Sequence, residues 1–195
     1  MKIYRADELG FVIREEMSRI FVDGFYQWLH YFSKDKEKLR NAFAHIFTLE
    51  VFYVVEEEGG ILGMLACADG KVPTVRLVKR EFTTHLGLIR GSIAYKVLKG
   101  EFVDKSYPFE IPEGMGMIEF VATSKDHRGK GVASTLIRHV FALPFSPYVL
   151  EVADTNTAAI HVYEKMGFRE FLRIPQKHSE KSGVNFLVYM KTESQ

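Results

Sequence analysis

The chain has a single cysteine, Cys67, among 195 residues. One cysteine cannot close a disulfide within the chain or build a cysteine-rich zinc site. It lies in the apolar run ILGMLACA (61–68), where a small buried hydrophobe is a simpler reading than a nucleophile. The seven histidines show no metal-ligand spacing, so no metal is expected. No run reaches the roughly 18 apolar residues of a membrane-spanning helix, and the opening MKIYRADELG lacks the apolar stretch of a secretory signal. With the lone thiol, this points to a reducing, cytoplasmic setting. Charge of one sign is missing too. The 26 Lys and Arg are balanced by 25 Asp and Glu, for a net charge of +1. That removes any global electrostatic reason to expect nucleic acid or an anionic membrane as partner, and leaves a local basic patch open. Repeats and low-complexity tracts are absent as well.

What is present suits one folded domain over 1–195. A chain of this length, 47% hydrophobic, buries enough surface to be stable without covalent staples. KIYRA (2–6) reads as a strand. Leu9, Ile13, Met17, Ile20 and Phe21 keep helical spacing, which Gly24 is expected to break before Phe25, Trp28, Leu29 and Phe32 resume it. Leu39, Phe43, Ile46 and Phe47 mark a second helix, with Ser33 as its cap. Two apolar runs around EEEGG (56–60) form a hairpin. Residues 70–114 look like an insertion or lid. Within it Phe82, Leu86, Ile89, Ile93 and Val97 are spaced for one face of a helix, although Gly87 and Gly91 each cost about 1 kcal/mol there.

From Met115 the pattern becomes strand, loop, helix, strand, helix, strand, strand. GMIEFVAT (116–123) and YVLEVAD (148–154) are strands, and KGVASTLIRHVFAL (130–143) is a helix. NTAAIHVYEKMGF (156–168) is a helix that starts at a capping asparagine and stops at Gly167. FREFLRI (168–174) and NFLVYMK (185–191) complete the set. The alternation of strands and helices makes the fold class α/β (α+β).

The stretch TSKDHRGKGVAST (123–135) joins a strand to a helix. First-turn N–H groups of a helix lack partners and carry partial positive charge. Gly129 and Gly131 let a phosphate approach the backbone, and Arg128 and Lys130 add full charges. A nucleoside-triphosphate loop requires glycine five positions before Gly129, where Ser124 stands, and Lys-Ser or Lys-Thr after the second glycine. A dinucleotide fingerprint requires a third glycine or alanine where Ser134 stands, although Glu151 does follow Gly131 at the usual distance. A plain glycine turn with solvated cations, and a cradle for some other diphosphate, remain.

RGKGVASTL resembles the pyrophosphate loop of the GNAT (Gcn5-related N-acetyltransferase) family through Arg128, Gly131 and Ala133. NTAAIHVYEKMGF resembles a second segment of that family through Asn156, Ala159, Tyr163, Gly167 and Phe168. The two cover about 115–191. The family often has valine where Thr123 stands. The resemblance implies a mixed central sheet flanked by helices, and transfer of an acetyl or other acyl group from acetyl-CoA to an amine by direct attack. It implies a diphosphate site at Arg128, Gly129, Lys130, Gly131, Val132, Ala133 and Ser134. It implies a pantetheine arm along the backbone of Val121, Ala122 and Thr123, with Asn156 beside it and an N–H near Val121 for the oxyanion. Tyr163 takes the role of general acid. Glu119 is the candidate base, placed by strand alternation on the same side as Val121 and Thr123. His127 and His161 read as structural. The acceptor, a small-molecule or protein amine, is expected to meet residues 9–47, including Tyr26, Trp28, Tyr31 and Phe32, and the loop 175–183. A homodimer is compatible with the family. The readings from other classes are a non-catalytic acyl-CoA-binding sensor or partner-binding protein, and a nucleotide-binding module.

Overall fold

Seven strands make one sheet in the order β1-β2-β3-β4-β5-β7-β6, in a computed structural model that describes residues 1–10, 12–104, 106–176 and 183–193. They are β1 (Lys2–Arg5), β2 (Phe52–Glu57), β3 (Gly60–Ala68), β4 (Gly116–Thr123), β5 (Tyr148–Ala153), β6 (Arg169–Pro175) and β7 (Phe186–Lys191). Every neighbouring pair is antiparallel except β4 and β5. Glu58 and Gly59 both take positive φ between β2 and β3, which matches the twist of a two-residue hairpin turn. β3 is buried from Ile61 to Ala68 because both faces of the sheet are covered.

One face carries α1 (Ile13–Leu29), α2 (Lys36–Phe43), α3 (Lys79–Leu86) and α4 (Leu88–Leu98), packed over Phe21, Phe43, Phe47, Phe52 and Phe82. The other carries α5 (Val132–Val140) and α6 (Thr157–Lys165), packed over Leu65, Cys67, Ile118, Leu150 and Phe168. Gly24 does not break α1, which runs on to Leu29; a β-carbon there would sit 3.7 Å from the Ala122 Cβ, so the glycine marks where helix and strand draw close. The cap of α2 is Asp35, whose side chain accepts from the Glu37 and Lys38 amides, while Ser33 accepts from the Asp35 amide. Ile46 and Phe47 lie beyond the end of α2, in the core. Among the described residues no helix is long and apolar enough to cross a membrane.

Within residues 70–114, α3 and α4 form a helical hairpin rather than one helix. Gly87 stops α3 with φ 83° and ψ 162°, and α4 starts on a new axis. Gly91, Ala94 and Leu98 then face inward. A β-carbon on Gly91 would lie 2.4 Å from the Phe82 carbonyl oxygen, so only glycine fits between the two helices. The expected face of Ile89, Ile93 and Val97 points to solvent instead, because the turn at Gly87 resets the phase that a continuous helix would have kept. A π-helical turn, Lys99–Val103, follows α4 and sets Phe102 against Phe120 of β4, ring centroids 5.3 Å apart.

A candidate acyl-transfer site at a fork in the sheet

β4 and β5 pair over only three positions, Gly116 with Tyr148, Met117 with Val149 and Ile118 with Leu150. Beyond Ile118 the β4 backbone has no strand partner on the β5 side among the described residues. On the other side, β4 holds one residue too many. Glu119 pairs with Ala66 and Ala122 with Met64, so Phe120 and Val121 together stand opposite Leu65. This is a β-bulge, which bends a strand and exposes its backbone groups. Phe120 adopts φ 54° to make it, an uncommon conformation for a bulky residue. Four rings hold it there. Phe21 and Phe25 of α1, Phe52 of β2 and Phe102 all lie within 6.4 Å of the Phe120 ring, centroid to centroid.

The bulge overturns the expected alternation. Val121 packs with the α5–α6 core and Ala122 with the helical core opposite. Glu119 turns to the latter side, where the Thr74 hydroxyl donates to one carboxylate oxygen and the Tyr107 hydroxyl to the other, both at 2.5 Å. Glu119 and Val121 therefore face opposite ways, since one inserted residue reverses the parity of everything after it. Burial, then the Glu119 carboxylate beside it, pushes the Tyr107 hydroxyl above the ordinary tyrosine range. Glu151 follows Leu150 as Glu119 follows Ile118, and both carboxylates lie close enough to act on the Tyr107 hydroxyl. The Tyr189 hydroxyl, its titration raised by burial and then by its hydrogen bond to Glu151, completes the group. Thr74, Tyr107 and Tyr189 are not among the residues singled out from sequence, and Glu151 entered there only as the acidic residue of a dinucleotide fingerprint. The visible signal was a glutamate in each of two otherwise apolar strands, MIE and VLE.

At the far end of β4 the chain turns through Lys125–His127 and enters α5 at Gly131. Gly129 and Gly131 take φ 75° and 80°, and both have open space where a β-carbon would stand. No side chain caps α5, so its first amides, those of Val132, Ala133 and Ser134, present an uncompensated N-terminus. Arg128 and Lys130 are exposed beside it. The corner fits an anionic diphosphate by shape and by charge. The Nδ1 of His127 and the buried Ser124 hydroxyl lie 2.7 Å apart and brace the turn.

Tyr163 of α6 is buried against Phe168 in the α5–α6 core, its hydroxyl pushed up by burial. It thus lies on the opposite face of the sheet from Glu119. Asn156 caps α6, its side-chain oxygen accepting from the Ala159 amide, and its amide nitrogen is left to donate elsewhere. Cys67 is buried, and burial raises its thiol to about 12, which removes it as a thiolate nucleophile. Of the expected acceptor aromatics, Phe32 is buried, Tyr26 donates its hydroxyl to the Lys34 carbonyl, and Trp28 and Tyr31 are exposed. The loop 175–183 falls, at 177–182, outside the described residues. No group of His, Cys, Asp and Glu among the described residues could hold a metal ion. Two surface clefts, of about 260 and 310 Å³, lie around Cys67 and Phe145 and around Gly70 and Pro112, and neither is lined by Glu119 or Glu151.

Comparison with known proteins adds an independent line. The model of a family described as the Acetyltransferase (GNAT) family matches residues 13–168. Over 72 residues the chain is 36% identical to a mouse protein named "Probable N-acetyltransferase family 8 member 5". That stretch is 35% of this chain and 30% of the relative, so the likeness spans under a third of that protein. Among solved structures, an N-acetyltransferase from Staphylococcus aureus Mu50 superposes with a TM-score of 0.62 at 17% identity, over 98% of this chain and 100% of that one. A ribosomal-protein-alanine N-acetyltransferase from Brucella melitensis gives 0.55 at 15% identity, over 99% of each. At these identities the likeness is one of fold.

Proposed function

This chain belongs to the GNAT acetyltransferase family, and from that premise we propose that it transfers an acetyl group from acetyl-CoA to a primary amine by direct attack. The observation that carries the reading is the fork, where pairing of β4 with β5 stops one residue before Glu119 and Glu151. Acetyl-CoA would supply the activated thioester. The uncapped amides of Val132, Ala133 and Ser134, with Arg128 and Lys130, hold the diphosphate. The backbone of Val121, Ala122 and Thr123, unpaired on the β5 side, bonds the pantetheine amides as an added strand would. Asn156 donates its free amide alongside. The Val121 N–H, displaced from regular pairing by the bulge, stabilises the developing oxyanion.

Proton traffic divides between the two faces. Glu119, oriented by Thr74 and Tyr107, takes a proton from the incoming ammonium, because only the free amine attacks. Glu151 adds negative charge that draws a cationic acceptor to the fork. Tyr163, kept protonated by burial, donates to the leaving sulfur from the opposite face. Direct attack is favoured over an acyl-cysteine route by the buried, protonated Cys67. The lone thiol supports the cytoplasm as the place of action.

Thiol release from acetyl-CoA, measured against a panel of primary amines, tests the reading. At least one amine should accelerate release, and Glu119→Gln should slow it by about 10²–10⁴-fold. Calorimetric binding of coenzyme A with no release for any amine favours a sensor, and absence of binding removes the cofactor assignment altogether.

A further inference from the structure

α4 holds four large apolar side chains in solvent: Leu88 is 80% exposed, Ile89 78%, Ile93 43% and Val97 44%. Ile89, Ile93 and Val97 recur every four residues, so they form one stripe along the helix. The fold does not use this stripe. The inward side is taken by Gly91, Ala94 and Leu98, and nothing among the described residues covers the outer one. Arg90 and Lys96 are exposed on the same helix, and neither has an ion-pair partner among the described residues. α4 contains no acidic residue. From Arg76 to Lys99 there are six Lys and Arg and one acid, Glu81, in a chain whose net charge is only +1. Lys99 is ion-paired with Asp104, so Arg90 and Lys96 are the cations of α4 itself, one at each margin of the apolar stripe.

The geometry points to an anionic lipid surface as the occupant of this face. An amphipathic helix with an apolar stripe and Lys or Arg at its margins lies in the headgroup region, aliphatic side chains toward the acyl boundary and cations toward the phosphates. Leu88 and Ile89, at the corner after Gly87, are the most exposed and enter first. A second copy of the chain fits poorly, since a two-fold contact through the stripe sets Arg90 and Lys96 against their own counterparts. The near-neutral net charge gives no attraction over the whole surface; this hairpin supplies it locally. The π-helical turn after α4 packs Phe102 on Phe120 of the β4 bulge, so the docking face is tied to the fork by a ring contact.

The test needs no acyl acceptor and does not depend on the proposed reaction. The chain is sedimented with vesicles of phosphatidylcholine alone and with vesicles that are roughly one-third phosphatidylserine. Wild-type protein should pellet with the second and not the first, and added salt should weaken the effect. The double change Ile89→Glu, Ile93→Glu should cut pelleting by about tenfold or more with an unchanged far-ultraviolet dichroism spectrum, as both sites are exposed. Arg90→Glu with Lys96→Glu should do the same and leaves the stripe intact. The proposal is overturned if wild-type protein stays in the supernatant with the charged vesicles, or if pelleting survives both double changes. It is equally overturned if sedimentation velocity shows a dimer that Ile89→Glu, Ile93→Glu dissociates, which would assign the stripe to a second copy.

Discussion

At Glu119 two hydroxyls from a segment far away in sequence decide what the carboxylate can do. Each oxygen accepts one hydrogen bond, from Thr74 or Tyr107, and a carboxylate has about four acceptor sites, so orientation is gained without saturating the group. Tyr107→Phe should lower kcat by about tenfold and leave the affinity for coenzyme A unchanged by calorimetry. In a Glu119→Gln background the same change should have little further effect, since residues acting as a unit are not additive. Additive losses would show that Tyr107 does not act through Glu119. At the other end of β4, Arg128→Ala should weaken acetyl-CoA and free coenzyme A alike, by roughly ten- to hundredfold, because the contact is to the shared diphosphate. A loss confined to the acetylated form would place Arg128 elsewhere.

Among the elements, the bulge in β4 and the helical hairpin α3–α4 are coupled through Phe102 and Phe120. Phe120→Ala removes the ring that four neighbours clamp, and should cost about 3 kcal/mol in a denaturant titration. It should also lower kcat more than it weakens coenzyme A binding, because the bulge sets the direction of Glu119. The hairpin has a second tie, and it is pH-dependent. The Val78 amide donates to Nε2 of His45 at 3.0 Å, which requires a neutral ring. Burial lowers the titration of His45 below its usual 6.5, against a smaller upward pull from Glu81. Between the two values the unfolded chain binds more protons than the folded one, so stability rises with pH. This contribution is complete above pH 6.5 and is lost as pH falls below it. Hydrogen exchange at Val78 should accelerate below that pH in wild-type protein, and His45→Gln should flatten the dependence.

For the molecule as a whole, a cofactor that binds only the folded state raises stability by mass action, about 2.7 kcal/mol at a hundredfold excess over Kd. Coenzyme A should therefore raise Tm by several degrees, and Gly131→Val should abolish the shift while lowering the unliganded Tm by a few degrees, because a β-branched residue in the left-handed region costs about 1–2 kcal/mol. Gly131 has φ 80° and nothing within 4 Å of a β-carbon, so any strain is local and the added bulk stands where the diphosphate goes. An unaltered Tm shift would show the cradle to be misplaced.

Local chemistry wrote much of this protein into its sequence. The order of strands and helices from Met115 onward, the αL glycines before α5 and the asparagine cap of α6 follow from side-chain periodicity and backbone freedom within a few residues. The open glycine turn before the uncapped α5, proposed above as the diphosphate corner, was legible for the same reason. Register, parity and phase were decided only in the folded chain. One extra residue opposite Leu65 turned Glu119 away from Val121, one glycine re-phased α4 and put Ile89 and Ile93 outside, and the parallel pairing of Ile118 with Leu150 brought two glutamates to one fork. Each depends on contacts between segments far apart in the chain, whose energies no short window of sequence contains.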